Sequence, residues 1–75
     1  MNMVLSEIEI EILKIFMKNR GGTARDIYNK LPSGFDFITI LRIVHTLHKK
    51  GLLLQIRSGS ESTYKVSEQG IVVIP

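Results

Sequence analysis

Residues 39–53 read TILRIVHTLHKKGLL, and this stretch predicts a helix that leads into a β-hairpin. Apolar side chains recur in it every three or four residues, which is the period of an amphipathic α-helix. Asp36 is suited to cap the N-terminus, and Gly51 follows Lys50 at the point where a left-handed cap would end the helix. One face of this third helix should therefore pack in a core. The residues of that predicted core face are Phe37, Ile40, Ile43, Val44 and Leu47.

The opposite face of the same helix carries Ile38, Arg42, His45 and Lys49, with Thr39 and Thr46 beside them. A helix face that serves only to stay in water usually mixes acidic and basic residues. None of these six residues is acidic, and they offer donors for phosphates and base edges together with a methyl-bearing side chain that can touch thymine. The face therefore indicates DNA binding, and a solvated basic face without a partner is the alternative.

The rest of the chain predicts two helices before this one and a hairpin after it. Ser6 with Glu9, and Thr23 with Asp26, have the spacing of capping boxes that open helices. The first helix should run to about Asn19 and stop at Gly21-Gly22, and Pro32 should close the second before a turn at Ser33-Gly34. From Leu52 the apolar period changes to two, residues 58–61 read as a hairpin loop, and residues 63–66 read as the return strand.

We expect one α+β domain over residues 1–75, with three helices in a helix-turn-helix layout followed by a two-stranded β-hairpin. Its core should span about residues 5–67. Residues 68–75 should form a short C-terminal tail, in which 67–70 is a turn or the stub of a helix and 71–74 is a β-prone run.

Charge is distributed unevenly along the chain. Residues 1–13 hold three glutamates and no base, whereas residues 14–65 hold all ten Lys and Arg against three carboxylates. A segment this basic is a candidate surface for a polyanion, although it can also be no more than a solvated face.

Several other classes of protein are disfavoured. No segment is long and apolar enough for a membrane span, and the acidic start is unlike a signal peptide. No nucleophile–base pair, phosphate-binding glycine loop or carboxylate dyad indicates an enzyme. His45 and His48 could share a metal ion, but a zinc site needs three or four ligands and the chain has no cysteine. We expect a cytoplasmic protein of prokaryotic, archaeal or viral origin, with no metal, cofactor, membrane or small-molecule partner.

The apolar arc of the first helix is wider than one core face needs. Surplus apolar surface commonly marks an interface, so we expect a homodimer, with coverage by the C-terminal tail as the alternative. The predicted dimer residues are Ile10, Leu13, Met17, Ile71 and Val73.

The sequence resembles winged helix-turn-helix repressors, closest to the penicillinase-repressor family, with MarR-like and PadR-like domains as near relatives. The resemblance covers about residues 5–67. An acidic-aliphatic first helix, SEIEIEILKIFMK, precedes the second helix TARDIYNKL. YKVSEQG spans the end of the hairpin, which is the wing in this family, and the residues after it. In the third helix and its flanks, the matching positions are Phe35, Asp36, Thr39, Ile40, Leu47, Lys50, Gly51 and Leu53.

The resemblance implies sequence-specific, usually dimeric binding to double-stranded DNA and a repressor's role. The family often has arginine where this chain has Thr46, and often a polar residue where it has Ile38. We expect helix 3 in the major groove and the wing on the DNA backbone. The alternative is a winged helix that binds only other proteins. The predicted DNA-binding residues are Arg25, Ile38, Thr39, Arg42, His45, Thr46, Lys49, Lys50, Arg57 and Lys65.

Overall fold

Three helices, a β-hairpin and a fourth helix follow one another in the computed structural model, which describes residues 4–31 and 34–75. The predicted winged helix-turn-helix order is confirmed. Pro32, predicted to close the second helix, and Ser33 of the predicted Ser33-Gly34 turn lie outside the described residues. The elements are α1 (Glu7–Asn19), α2 (Ala24–Lys30), α3 (Phe37–Lys49), β1 (Leu53–Ser58), β2 (Glu61–Val66) and α4 (Glu68–Val73).

Side-chain caps begin the first three helices as the sequence predicts. The Ser6 hydroxyl accepts from the Glu9 amide at 3.3 Å, and the Glu9 carboxylate accepts from the Ser6 amide at 3.0 Å. Thr23 and Asp26 repeat this exchange at α2. The Asp36 carboxylate accepts from the amide of Thr39 at 2.8 Å at the start of α3. Each cap satisfies amides that the helix itself cannot pair.

The end of α1 differs from the expectation that the glycine pair alone would stop it. Arg20 already adopts the left-handed conformation, with φ of 60°, and Gly21 follows. Gly22 then exchanges two backbone hydrogen bonds with Tyr64 of β2, at 3.0 and 2.7 Å. This bridge ties the segment between α1 and α2 to the wing.

The core lies where α1, α2 and α3 meet the base of the hairpin. In the predicted core face of α3, Ile40, Val44 and Leu47 are fully buried, and Phe37 and Ile43 are half buried and pack against the same core. The three buried residues form one cluster with further residues of α1, α2, the hairpin and the segment before it: Ile12, Leu13, Phe16, Ala24, Ile27, Leu52, Leu53, Tyr64 and Val66.

Leu13 is a correction to the predicted dimer residues. Its side chain is 0% exposed and belongs to the core of its own chain, so it has no surface left for a second subunit. The periodicity of α1 placed Leu13 outside the main apolar face. The hairpin and α2 nevertheless enclose α1 from more than one side, which widens the buried arc.

The C-terminal segment is also different from the prediction. Residues 68–73 form α4. Of the two alternatives for 67–70, the stub of a helix is therefore right, and the prediction of a β-prone run at 71–74 is wrong. The Ser67 hydroxyl caps α4 by accepting from the Gly70 amide at 3.1 Å, and it donates to the Gly51 carbonyl at 2.6 Å. A side chain at Gly70 would collide with the Leu52 carbonyl oxygen. These tertiary contacts outweigh the weak, context-dependent β-propensity of the segment.

Candidate nucleic-acid interface

The face of α3 opposite the core is open to solvent. Ile38, Arg42, His45 and Lys49 are all exposed, as are Thr39 and Thr46 beside them. The structure therefore brings together on one surface all six of the residues that the sequence assigns to this face. Because α3 contains no Asp or Glu, the surface combines cationic and neutral donors without an internal carboxylate.

Asp36, at the N-terminus of α3, is the nearest carboxylate along the chain. Its hydrogen bonds from Thr39 hold the pKa of the Asp36 carboxyl below its usual range, with the positive charge of Arg42 adding to the effect. Asp36 is therefore ionised and committed to capping the helix, where an anion is favourable.

Lys50 lies just beyond the last turn of α3 and does not behave like its neighbour Lys49. Its ammonium contacts the Glu9 carboxylate at 2.9 Å, in a partly buried pair. Lys50 was among the predicted DNA-binding residues, but in the structure this cation links the end of α3 to the start of α1. Lys49 is exposed and shares in none of the side-chain hydrogen bonds or ion pairs found in the described parts of the chain.

Glu9 has two partners, since it closes the capping box of α1 as well as holding Lys50. Burial raises the pKa of the Glu9 carboxyl, but the hydrogen bonds from Ser6 and Lys50 outweigh that effect, and the pKa lies below its ordinary value. Glu9 and Lys50 also border a surface depression of about 350 Å³ together with Arg42 and Thr46. The N-terminus of α1 thus adjoins the exposed face of α3.

Arg25 is held at the junction of α2 and α3 by aromatic contacts that the sequence analysis missed. Its guanidinium lies 4.6 Å from the centre of the Phe37 ring, a cation–π distance. Tyr28 packs edge-on against the same ring, with centroids 5.8 Å apart. Phe37 was predicted only as a core residue, yet it also orients the Arg25 cation beside the start of α3.

The wing separates its two predicted contact residues. In the β1–β2 register Arg57 pairs with Ser62, whereas Lys65 pairs with Leu54. Directly paired residues share a face and neighbouring residues alternate, so Arg57 and Lys65 point to opposite faces of the hairpin. Lys65 lies instead beside α1 and α4, in a pocket lined by Met17, Arg20 and Ile71. The structure therefore does not bring Arg57 and Lys65 together.

The two histidines have different surroundings. His45 is exposed on the outward face of α3, whereas His48 is half buried and packs edge-on against the Tyr64 ring, with centroids 6.2 Å apart. No group of three His, Cys, Asp or Glu side chains able to hold a metal ion occurs among residues 4–31 and 34–75.

Two of the predicted dimer residues meet at the surface. Met17 of α1 and Ile71 of α4 line the same pocket, of about 220 Å³, and are 39% and 52% exposed. Ile10 and Val73 are half buried, and Val73 packs against the core of its own chain. In the parts of the chain that the structure describes, no helix has the length and hydropathy to cross a membrane.

Comparison with known proteins gives a match to one family model, that of the penicillinase repressor, over residues 5–70. No sequence among the curated proteins matches the chain.

Three similar solved structures are transcriptional regulators. An ArsR-like regulator from Rhodococcus sp. RHA1 is 21% identical, with a TM-score of 0.73 over 89% of this chain and 60% of that one. A MarR variant from E. coli complexed with operator DNA is 14% identical, with a TM-score of 0.81 over 93% of this chain and 51% of that one. PcaV from Streptomyces coelicolor, in complex with its natural ligand, is 24% identical, with a TM-score of 0.81 over 92% and 50%. The shared winged helix fold is clear, and the chain spans 50–60% of the length of these regulators.

The pairing of Lys50 with Glu9 predicts that two adjacent lysines differ in their effect on stability. Lys50→Met removes a partly buried ion pair and should lower the free energy of unfolding by about 1 kcal/mol. Lys49→Met, the matched control, should change it by less than about 0.5 kcal/mol. Urea denaturation of the two variants and the wild type measures both, and equal effects would contradict the assignment.

Proposed function

Since the chain belongs to the penicillinase repressor family of transcription regulators, we propose that it is a repressor that recognises a specific sequence in double-stranded DNA. The observation that carries this proposal is the exposed face of α3, which is cationic, free of carboxylates and backed by a buried core face. A helix of this kind fits the major groove, where side chains reach base edges and phosphates at once. The family consists of transcription regulators and not of enzymes.

Within this proposal the exposed face divides into base contacts and backbone contacts. Arg42 can donate two hydrogen bonds to guanine, and His45, Thr39 and Thr46 are the further candidates for base edges. Lys49, near the C-terminal end of α3, is the candidate for a phosphate contact.

The structure changes which other cations are expected on the DNA backbone. Arg25, fixed by Phe37, and Arg57 of the wing remain candidates. Lys65 is the weaker candidate, because it lies on the wing face opposite Arg57. The charge of Lys50 is already paired with Glu9, so we expect Lys50 to position α3 and not to contact a phosphate.

We further propose that the protein binds as a homodimer and that Met17 and Ile71 form part of the contact. Both are exposed apolar residues that line one pocket. In a two-fold dimer, the same surface patch on each subunit contacts its counterpart on the other, and an apolar patch suits such a contact. Two copies would present two α3 helices to an inverted repeat, with half-sites about one helical turn apart.

One observation supports the alternative, which is a winged helix that binds only other proteins. Leu54 and Ile56, on the wing face that also carries Lys65, are each more than half exposed. Such residues can form part of a protein interface. They do not explain the acid-free face of α3, which is why DNA binding is the proposal.

Duplexes selected by the protein from a random-sequence pool should share a half-site, and two variants should then respond differently to it. Arg42→Ala should weaken binding to the selected duplex by roughly 1–3 kcal/mol and relax the preference at one base pair. Lys49→Ala should weaken all duplexes alike and reduce the slope of log affinity against log salt by about one unit.

Fluorescence anisotropy at two salt concentrations, with selected and scrambled duplexes, separates the two effects. Equal losses on both duplexes for Arg42→Ala would refute its role in reading a base. A pool in which no sequence is enriched would refute specific DNA recognition as a whole.

The dimer is tested by sedimentation velocity at micromolar concentrations. The wild type should sediment as a dimer and Ile71→Lys as a monomer, because the added cation would be buried at the contact beside Arg20 and Lys65. Val72→Lys, on the same helix and already exposed to solvent, is the control. A monomeric wild type that binds the selected duplex one to one would contradict the proposal.

A further inference from the structure

Ile38 is an apolar residue on the polar and basic exposed face of α3. It is 55% exposed in the first turn of α3, at the N-terminal end of a face whose other five residues are polar or basic. At an exposed helix position, isoleucine gains little stability from burial. Its β-branched side chain also makes it a poorer helix former than lysine, glutamate or alanine. Neither the folding of α3 nor its solvation therefore accounts for this side chain.

The chemistry of the neighbouring side chains indicates which group on a DNA base Ile38 would contact. Arg42 supplies donors that suit guanine, but residues 36–50 contain no Asn or Gln, the side chains that pair with the edge of adenine. An A·T pair can still be recognised in the major groove through the C5-methyl group of thymine, which only an apolar contact reads. Ile38 is an exposed aliphatic residue one helical turn from Arg42.

The helix spacing limits where such a thymine would lie. Ile38 and Arg42 are four residues apart, which is about 6 Å along the axis at about 1.5 Å per residue. Successive base pairs are separated by about 3.4 Å. We propose that Ile38 reads the C5-methyl group of a thymine about two base pairs from the base pair contacted by Arg42. This assignment rests on the proposed function and adds a specificity-determining residue to it.

The test removes the methyl group from the DNA instead of relying on the protein variant alone. In the duplex selected by the wild type, each thymine is replaced in turn by uracil, which pairs identically and lacks only the C5-methyl. One replacement should lower wild-type affinity by about threefold to fivefold, the factor expected for losing the burial of one methyl group. The same replacement should have no effect on Ile38→Ala, and should retain its effect on Ile38→Val.

Leu54→Ala provides the matched control, because Leu54 is 53% exposed and lies on the wing face opposite Arg57. It should show the same uracil penalty as the wild type. The proposal is overturned if no uracil replacement weakens the wild type, if the penalty persists in Ile38→Ala, or if the selected half-site holds no thymine. These outcomes leave specific DNA binding intact, whereas failure to enrich any duplex overturns both proposals.

Discussion

Burial of one face of α3 is the constraint on which the rest of the structure depends. Ile40, Val44 and Leu47 fill the space between α1, α2 and the base of the wing. Because a helix repeats about every 3.6 residues, fixing that face also fixes the opposite one. The orientation of Arg42 and its neighbours toward solvent is therefore a consequence of core packing, and mutations in the core should disturb recognition without touching DNA.

Electrostatic contacts at the two ends of α3 refine this arrangement. Asp36 caps the N-terminal end, and Glu9 holds Lys50 at the C-terminal end. Glu9 thereby joins the start of α1 to the end of α3 across 41 positions of sequence. The acidic N-terminal segment thus contributes a carboxylate to positioning the basic helix, whereas Lys49 is exposed to solvent.

Structural features that depend on residues close together in the sequence could be predicted from it, whereas features that depend on tertiary contacts could not. Caps at Ser6, Thr23 and Asp36 and the two faces of α3 follow from spacing alone, so they were predicted correctly. The pairing of Lys50 and the burial of Leu13 depend on residues far away in the chain. The same holds for α4, which is fixed by contacts of Ser67 and Gly70 with Gly51 and Leu52. The opposite orientation of Arg57 and Lys65 followed from the hairpin register, which the sequence located only approximately.

The central claim is that the outward face of α3 is the surface that meets DNA. An NMR titration with the selected duplex tests this claim most directly. Each helix and strand has its own amide signals, so the changes in chemical shift identify the elements that contact the DNA. The account predicts the largest changes at residues 37–50, with smaller ones near the tip of the wing at 57–62 and little change in the middle of α1. Largest changes in α1 and α4, with α3 unaffected at saturation, would contradict it.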